Sequence, residues 1–259
     1  MTADLDLTAG SVELTRVICD LETVSDHEGP LADAIEQAVR ALPHLTVDRF
    51  GDTVVARTRL GRAQRVVIAG HIDTVPVNDN LPTRMTDEGE GPVLWGRGTV
   101  DMKAGVAVQL VLAAELAAPA YDITWIWYDH EEVGEELNGL NRLARTHPEL
   151  LAGDLAILGE PTAAGIEGGC NGNLRAEIRT TGTRSHSARS WVGVNAIHAA
   201  APILDRLVAY EAAQVEVDGL VYREGLSAVG ISGGIAGNVI PDACTVHVNH
   251  RFAPDRPSR

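Results

Sequence analysis

Hydrophobic and polar positions divide the chain into helical and extended stretches. Apolar residues recur at helical spacing over 11–22, at Val12, Val17, Ile18 and Leu21, and again over 31–42, which predicts two amphipathic helices separated by a break at 26–30. Residues 45–50 and 54–60 alternate or run apolar around Gly51-Asp52, a hairpin signal. The apolar run at 65–69 reads as a strand buried on both faces, and 122–128 and 154–158 repeat that pattern. Between them lie a polar, Gly- and Pro-rich loop over 76–98, interrupted by a short strand at 93–95, and a helix over 106–118 that is apolar nearly all round and so buried. Residues 138–146 predict a further short helix.

Beyond residue 165 the pattern changes. Residues 174–180 alternate as a half-exposed strand, 195–212 predict a helix through Ile197, Ala201, Leu204 and Val208, 226–231 a strand, and 244–252 alternate again. Strand, helix, strand, strand is the start of a β-α-β-β-α-β unit. The expectation is an α/β protein with one domain over 1–166 and a second over 167–259.

The buried strands end in ionisable residues. His71 and Asp73 follow the first, Asp129-His130-Glu131-Glu132 the second and Glu160 the third, while Asp101 precedes the buried helix. In open α/β sheets, ligand-binding groups gather beyond the carboxyl ends of such strands. With period-two geometry His71 and Asp73 point to one side, so the Asp73 carboxylate can accept the imidazole's second N–H and fix its tautomer. One histidine with several carboxylates and no cysteine is a donor set suited to Zn²⁺, Co²⁺ or Mn²⁺ in a hydrolytic site. Adjacent carboxylates usually point apart, so one of Glu131 and Glu132 can ligate while the other stays free as a general base. Lys103 in a first helical turn is disfavoured by a few tenths to about 1 kcal/mol, which a local negative cluster or a bound ligand would offset.

Composition narrows the function classes. At 259 residues, 45% hydrophobic and 22% charged, the chain is neither disordered nor membrane-spanning in character. Its formal charge of −15, from 21 basic against 36 acidic residues, argues against a nucleic-acid partner. Residues 1–10 contain Asp4 and Asp6 and no basic segment leading an apolar core, so a cytoplasmic location is expected, with no membrane partner. Cys19, Cys170 and Cys244 are far apart and read as free buried thiols. The Gly-rich stretch 230–237 is not followed by the βα spacing a nucleotide loop requires.

Gly70-His71-Ile72-Asp73-Thr74-Val75-Pro76, Gly96-Arg97-Gly98 with Asp101-Met102-Lys103, Glu131-Glu132, and Gly159-Glu160-Pro161-Thr162 resemble, in order and spacing, the motifs of the dinuclear zinc aminoacylase and carboxypeptidase family. Arg184-Ser185-His186-Ser187-Ala188-Arg189 and Gly237-Asn238-Val239-Ile240-Pro241-Asp242 are similar to its lid-domain motifs. The resemblance implies a zinc-peptidase-like catalytic domain with a mixed sheet flanked by helices, plus an inserted α+β, ferredoxin-like lid and dimerisation domain. It implies two Zn²⁺ ions, replaceable by Co²⁺ or Mn²⁺: His71, Asp101 and Glu160 on one, with Asp101 bridging to a second bound by Glu132. Asp73 would orient His71, Glu131 would deprotonate the bridging water, and His186 from a partner subunit's lid would stabilise the oxyanion. Asn238, Arg251 and Arg189 would contact an anionic amino-acid substrate, and Arg175, Arg179, Arg184 and Arg189, near His186, would form a local basic patch for it. The expected reaction is metal-dependent removal of succinate from N-succinyl-L,L-2,6-diaminopimelate. Deacylation of acetylornithine, a dipeptidase activity and a non-catalytic remnant are the alternatives. Family members carry a further segment that completes the lid and supplies a last histidine to the second zinc, so an incomplete, nearly inactive chain is expected.

Overall fold

A computed structural model describes residues 4–87, 89 and 91–255. Positions 1–3, 88, 90 and 256–259, at the edges of the expected N-terminus, loop and second domain, lie outside the described residues. The chain separates into two units, Met1–Ala164 and Gly165–Arg259.

The first unit runs α1 (Ser11–Asp20), α2 (Gly29–Arg40), β1 (Thr46–Phe50), β2 (Thr53–Arg57), β3 (Arg65–His71), β4 (Arg84–Asp87), β5 (Pro92–Trp95), α3 (Lys103–Glu115), β6 (Asp122–Tyr128), α4 (Gly139–Thr146) and β7 (Leu155–Leu158). Local chemistry sets several of these bounds. Pro30 opens α2, where its missing N–H costs nothing. The Asn138 side chain caps α4 by accepting the N–H groups of Leu140 and Asn141. Gly51, at φ 64°, turns the β1–β2 hairpin.

Five strands pair in the order β1-β2-β6-β3-β7, with β3 parallel to both β6 and β7 and with β1 and β2 added antiparallel. All seven residues of β6 are buried, and they alternate between two cores. Ile123, Trp125 and Trp127 pack with residues of α1, α2 and α3 such as Ile18, Ile35 and Leu110. Ile126 and Tyr128 pack with Leu143 of α4 and with Leu150. Full burial of each large side chain contributes about 1.5–3 kcal/mol, so the floor beneath the strand ends is held from both faces.

Two details of this unit depart from the sequence reading. Helix α3 begins at Lys103 rather than 106, because Lys103 is buried, 1% exposed, and donates from Nζ to the carbonyl oxygens of Ile18 at 3.1 Å and Leu21 at 2.8 Å. The anticipated first-turn penalty is thus met by the carbonyl end of α1, where a cation is favoured. The stretch 76–98 is not only a loop: β4 and β5 form an antiparallel hairpin in which Arg84 lies 3.6 Å over the Trp95 ring.

The second unit contains β8 (Gly172–Thr181), β9 (Ser185–His186), α5 (Ala196–Ala199), α6 (Ala201–Val208), β10 (Gln214–Val217), β11 (Leu220–Arg223), β12 (Gly225–Gly233), β13 (Val239–Ile240) and β14 (Ala243–Phe252). An antiparallel sheet of order β12-β14-β8 surrounds a small core of Ala196, Ala200, Cys244, Val246 and Val248. The single helix expected over 195–212 is two, broken at Ala200, because Pro202 sits in the first turn of α6 and cannot donate into a continuous ladder. The β10–β11 hairpin carries no signal in the sequence reading. Cys19 and Cys244 are buried and free, but Cys170 is exposed, which corrects the expectation for that residue. Among the described residues no helix is long and apolar enough to cross a membrane.

Candidate metal centre and active site

Strand register brings the ionisable residues together. Parallel pairing sets Ala69 opposite Leu158 and His71 opposite Tyr128. Glu160, two residues past Leu158, therefore comes level with His71, and the chain leaving Tyr128 delivers Glu131 and Glu132 beside it. The Gly159 N–H donates to the Ala69 carbonyl at 2.9 Å, which keeps this register past the end of β7. Helix α3 closes on the same place: a Cβ on Gly105 would stand 2.5 Å from the Gly159 carbonyl oxygen, so only glycine permits the approach that sets Asp101 over the strand ends.

His71 is 1% exposed. Its Nε2 lies 3.1 Å from Asp101 Oδ1 and 3.9 Å from Glu160 Oε1. Its Nδ1 lies 3.0 Å from the main-chain carbonyl of Asp73 and 3.5 Å from that residue's carboxylate. The hydrogen-bond partner is thus the carbonyl rather than the carboxylate anticipated from period-two geometry, because the strand ends at His71 and the chain turns. The orientation is the same: Nδ1–H donates inward, so Nε2 is the nitrogen that faces Asp101 and Glu160. Burial lowers the His71 pKa, but the hydrogen bond to Asp101 and the nearby Asp73 and Glu160 carboxylates outweigh it and raise it to about 10.

The Asp73 carboxylate, fully buried, has a second task. It accepts Ser25 Oγ at 2.7 Å, the Glu131 N–H at 3.0 Å and the Glu132 N–H at 3.1 Å. Burial pushes this acid up, yet His71 and these donors hold it at about 2. Asp73 therefore joins the histidine end of β3 to the main chain that carries both glutamates.

Ligand atoms of His71, Asp101 and Glu160 lie within 4.8 Å of one another, and so do those of His71, Glu131 and Glu132. The two glutamates therefore converge instead of pointing apart, since His130 at φ 59° ends the extended alternation. Asp101 and Glu132 line one cleft with Arg97 and Thr99. Burial raises the Glu132 and Glu160 carboxyls, and the surrounding acids add to it; Asp101 is lowered, first by its hydrogen bond from His71. Carboxylates crowded around one buried imidazole repel one another, and this hard, oxygen-rich donor set fits divalent cations.

Three residues of this region were given no role in the sequence reading: Ser25, which holds Asp73, and Glu28 and His130, which hold the turn before Glu131. None lies on a periodic pattern. The positive φ of His130 is the kind of feature that Asn or Gly would have signalled.

In the second unit, β9 and β13 pair His186 with Val239, so the His186 and Asn238 segments are neighbours, and the Asn238 carbonyl accepts the Ser187 N–H at 2.9 Å. Exposed His186 accepts the Ala188 N–H on Nδ1 at 3.0 Å, which places its own proton on Nε2. Arg189 is exposed in the turn after His186. Arg251 is not with them: Asn238 precedes the start of β14 and Arg251 is near its end, roughly 26 Å along an extended strand. Of the anticipated basic patch, Arg184 pairs with Asp242 at 2.9 Å and Arg179 with Glu177 at 2.6 Å, so only Arg175 and Arg189 remain outside these pairs.

Fold and site together define a metal-dependent amide-bond hydrolase of α/β architecture, and the sequence pattern of peptidase family M20/M25/M40 matches residues 67–251: the chain belongs to that family. The succinyl-diaminopimelate desuccinylase of Corynebacterium glutamicum is 50% identical over 257 residues, covering 97% of this chain and 69% of that protein. A Mycobacterium tuberculosis protein given the same name provisionally is 53% identical over 253 residues, covering 97% of this chain and 70% of its own. An M20 family metallo-carboxypeptidase of Sulfolobus solfataricus has the same fold, with a TM-score of 0.68 at 14% identity over 96% of this chain and 72% of that one.

Proposed function

We propose that the first unit holds two divalent ions, zinc with cobalt or manganese as substitutes, and that the protein hydrolyses N-succinyl-L,L-2,6-diaminopimelate to succinate and L,L-diaminopimelate, a step in lysine and cell-wall precursor synthesis. The observation that carries the reading is the convergence of His71, Asp101 and Glu160 within 4.8 Å at the ends of β3 and β7 and the start of α3. Identity of 50% over nearly the whole chain to a protein named for that activity supports the substrate.

His71, Asp101 and Glu160 would hold one ion, and Asp101 and Glu132 the other. Bound ions would supply Lewis-acid polarisation of the scissile carbonyl and a lowered pKa for the attacking water. Glu131, exposed at the rim, takes the proton of that water and returns it to the leaving nitrogen. Asp73 keeps His71 and both glutamates in place through its buried hydrogen bonds. The second unit, read as residues 167–259, acts as a ferredoxin-like lid that joins two copies of the chain. His186 of one copy donates from Nε2 to the oxyanion in the other, and its Nδ1 contact supports that tautomer. Asn238 and Arg189 meet the substrate's carboxylates, without Arg251, which stands far along β14, and the enzyme works in the cytoplasm.

The test is product release from a folded, zinc-loaded sample. Succinate from N-succinyl-L,L-2,6-diaminopimelate supports the reading. Acetate from N-acetylornithine, without succinate, would assign a sister deacylase activity. Release of neither would favour a non-catalytic protein.

A further inference from the structure

The turn that presents Glu131 and Glu132 is held from two sides. On one side the buried Asp73 carboxylate accepts both main-chain N–H groups. On the other side stands His130, only 16% exposed in its side chain and held at φ 59°. Its main-chain N–H donates to Glu28 Oε1 at 3.2 Å. Its Nδ1 lies 2.7 Å from Asp129 Oδ2, and its Nε2 lies 3.0 Å from Asp26 Oδ1. Glu28 is fully buried at the start of α2, and Asp129 is fixed in turn by the Thr53 hydroxyl and Arg142.

We propose that His130 is a positioning residue: its imidazole ties the Glu131–Glu132 turn to the α2 entry through Asp26 and Glu28 and to the end of β6 through Asp129. A left-handed backbone at a non-glycine residue is disfavoured and persists where surrounding contacts over-determine it. Three carboxylates from two separate segments converge on this one ring, while Arg142 holds the far oxygen of Asp129. Without the imidazole, Asp26, Glu28 and Asp129 face one another across an unfilled gap. The turn then loses its rear support, and the glutamate N–H groups lose their aim at Asp73.

This inference rests on the proposed roles of Glu131 and Glu132, but its first readout does not. In His130→Gly the positive φ is kept and only the side chain is lost. Hydrogen exchange at the Glu131 and Glu132 amides should rise about tenfold or more, while the amides of Trp125 and Trp127 in β6 keep their protection. Zinc affinity should fall about 10- to 100-fold, the usual effect of removing a residue that orients metal ligands. Asp26→Asn, at a solvent-exposed partner, should reproduce part of both changes if the glycine variant folds poorly, and His130→Asn should lie between wild type and glycine. Unchanged exchange at 131 and 132 in all three variants, or an equal rise throughout β6, would overturn the proposal. Should wild type bind no zinc while exchange at 131 and 132 responds as stated, the metal reading fails and the positioning role stands.

Discussion

Lys103 Nζ donates to the main-chain carbonyl of Leu21 at 2.8 Å, so the first residue of α3 closes the last turn of α1. Two residues upstream stands Asp101, and the contact therefore fixes the segment that carries a candidate ligand. Replacing Lys103 by Met should lower unfolding free energy by about 1–3 kcal/mol, because buried carbonyls lose their donor. It should also weaken metal binding. Denaturant unfolding indistinguishable from wild type would show that the contact carries no stability.

A pH dependence follows from Asp122, which is 4% exposed and accepts Leu60 N–H at 2.8 Å, Arg62 N–H at 2.9 Å and Thr58 Oγ1 at 2.7 Å. Burial pushes this carboxyl up, but those donors and Arg65 outweigh it and bring it from 3.8 to about 2. The folded state is the weaker proton binder, so the unfolded chain protonates first. The stabilisation is complete above the ordinary carboxyl pKa and is lost as pH falls through about 2. Asp122→Asn should accordingly be less stable than wild type at neutral pH, and the gap should narrow in acid. A gap that is constant with pH would remove the carboxylate from the account.

Much of the site was legible because its geometry follows from strand ends. Apolar runs located β3, β6 and β7, although β7, expected to be buried, is exposed at all four residues because it is the edge strand of the sheet. A parallel sheet leaves their carboxyl ends level, so His71, Glu131, Glu132 and Glu160 had to gather. Ser25, Glu28 and His130 were illegible because their work depends on a non-periodic segment folding back onto the strand ends, where Thr23 Oγ1 donates to the Ile72 carbonyl at 2.7 Å. Likewise β4 has no apolar alternation to read, only Arg84, Met85, Thr86 and Asp87. The break at Ala200 was readable from Pro202, yet the apolar spacing of Leu204 and Val208 spoke for one continuous helix.

Glu131 and Glu132 converge on His71 but are assigned different work. Glu131→Gln should keep its metal content and lose rate by about 10²- to 10⁴-fold, as removal of a general base does. Glu132→Gln should lose the second ion instead. Metal analysis of both variants separates the assignments, and loss of metal from Glu131→Gln would make that residue a ligand.

If His186 serves another copy's site, the protein is a dimer by sedimentation. Mixed His186→Ala and Glu131→Gln subunits should then regain part of the activity that each lacks alone. Proven subunit exchange with no recovery would place His186 outside that role.

Zinc titration of wild type beside His71→Ala and Asp101→Ala tests the central claim most directly. One zinc should bind wild type far more tightly than any second, since His71, Asp101 and Glu160 already converge within 4.8 Å, while the proposed second site has only Asp101 and Glu132. Both variants should lose that tight site, and Glu177→Gln, which breaks an exposed ion pair of the second unit, should keep it. Tight zinc that persists in both His71→Ala and Asp101→Ala, or none bound by folded wild type, would contradict the account.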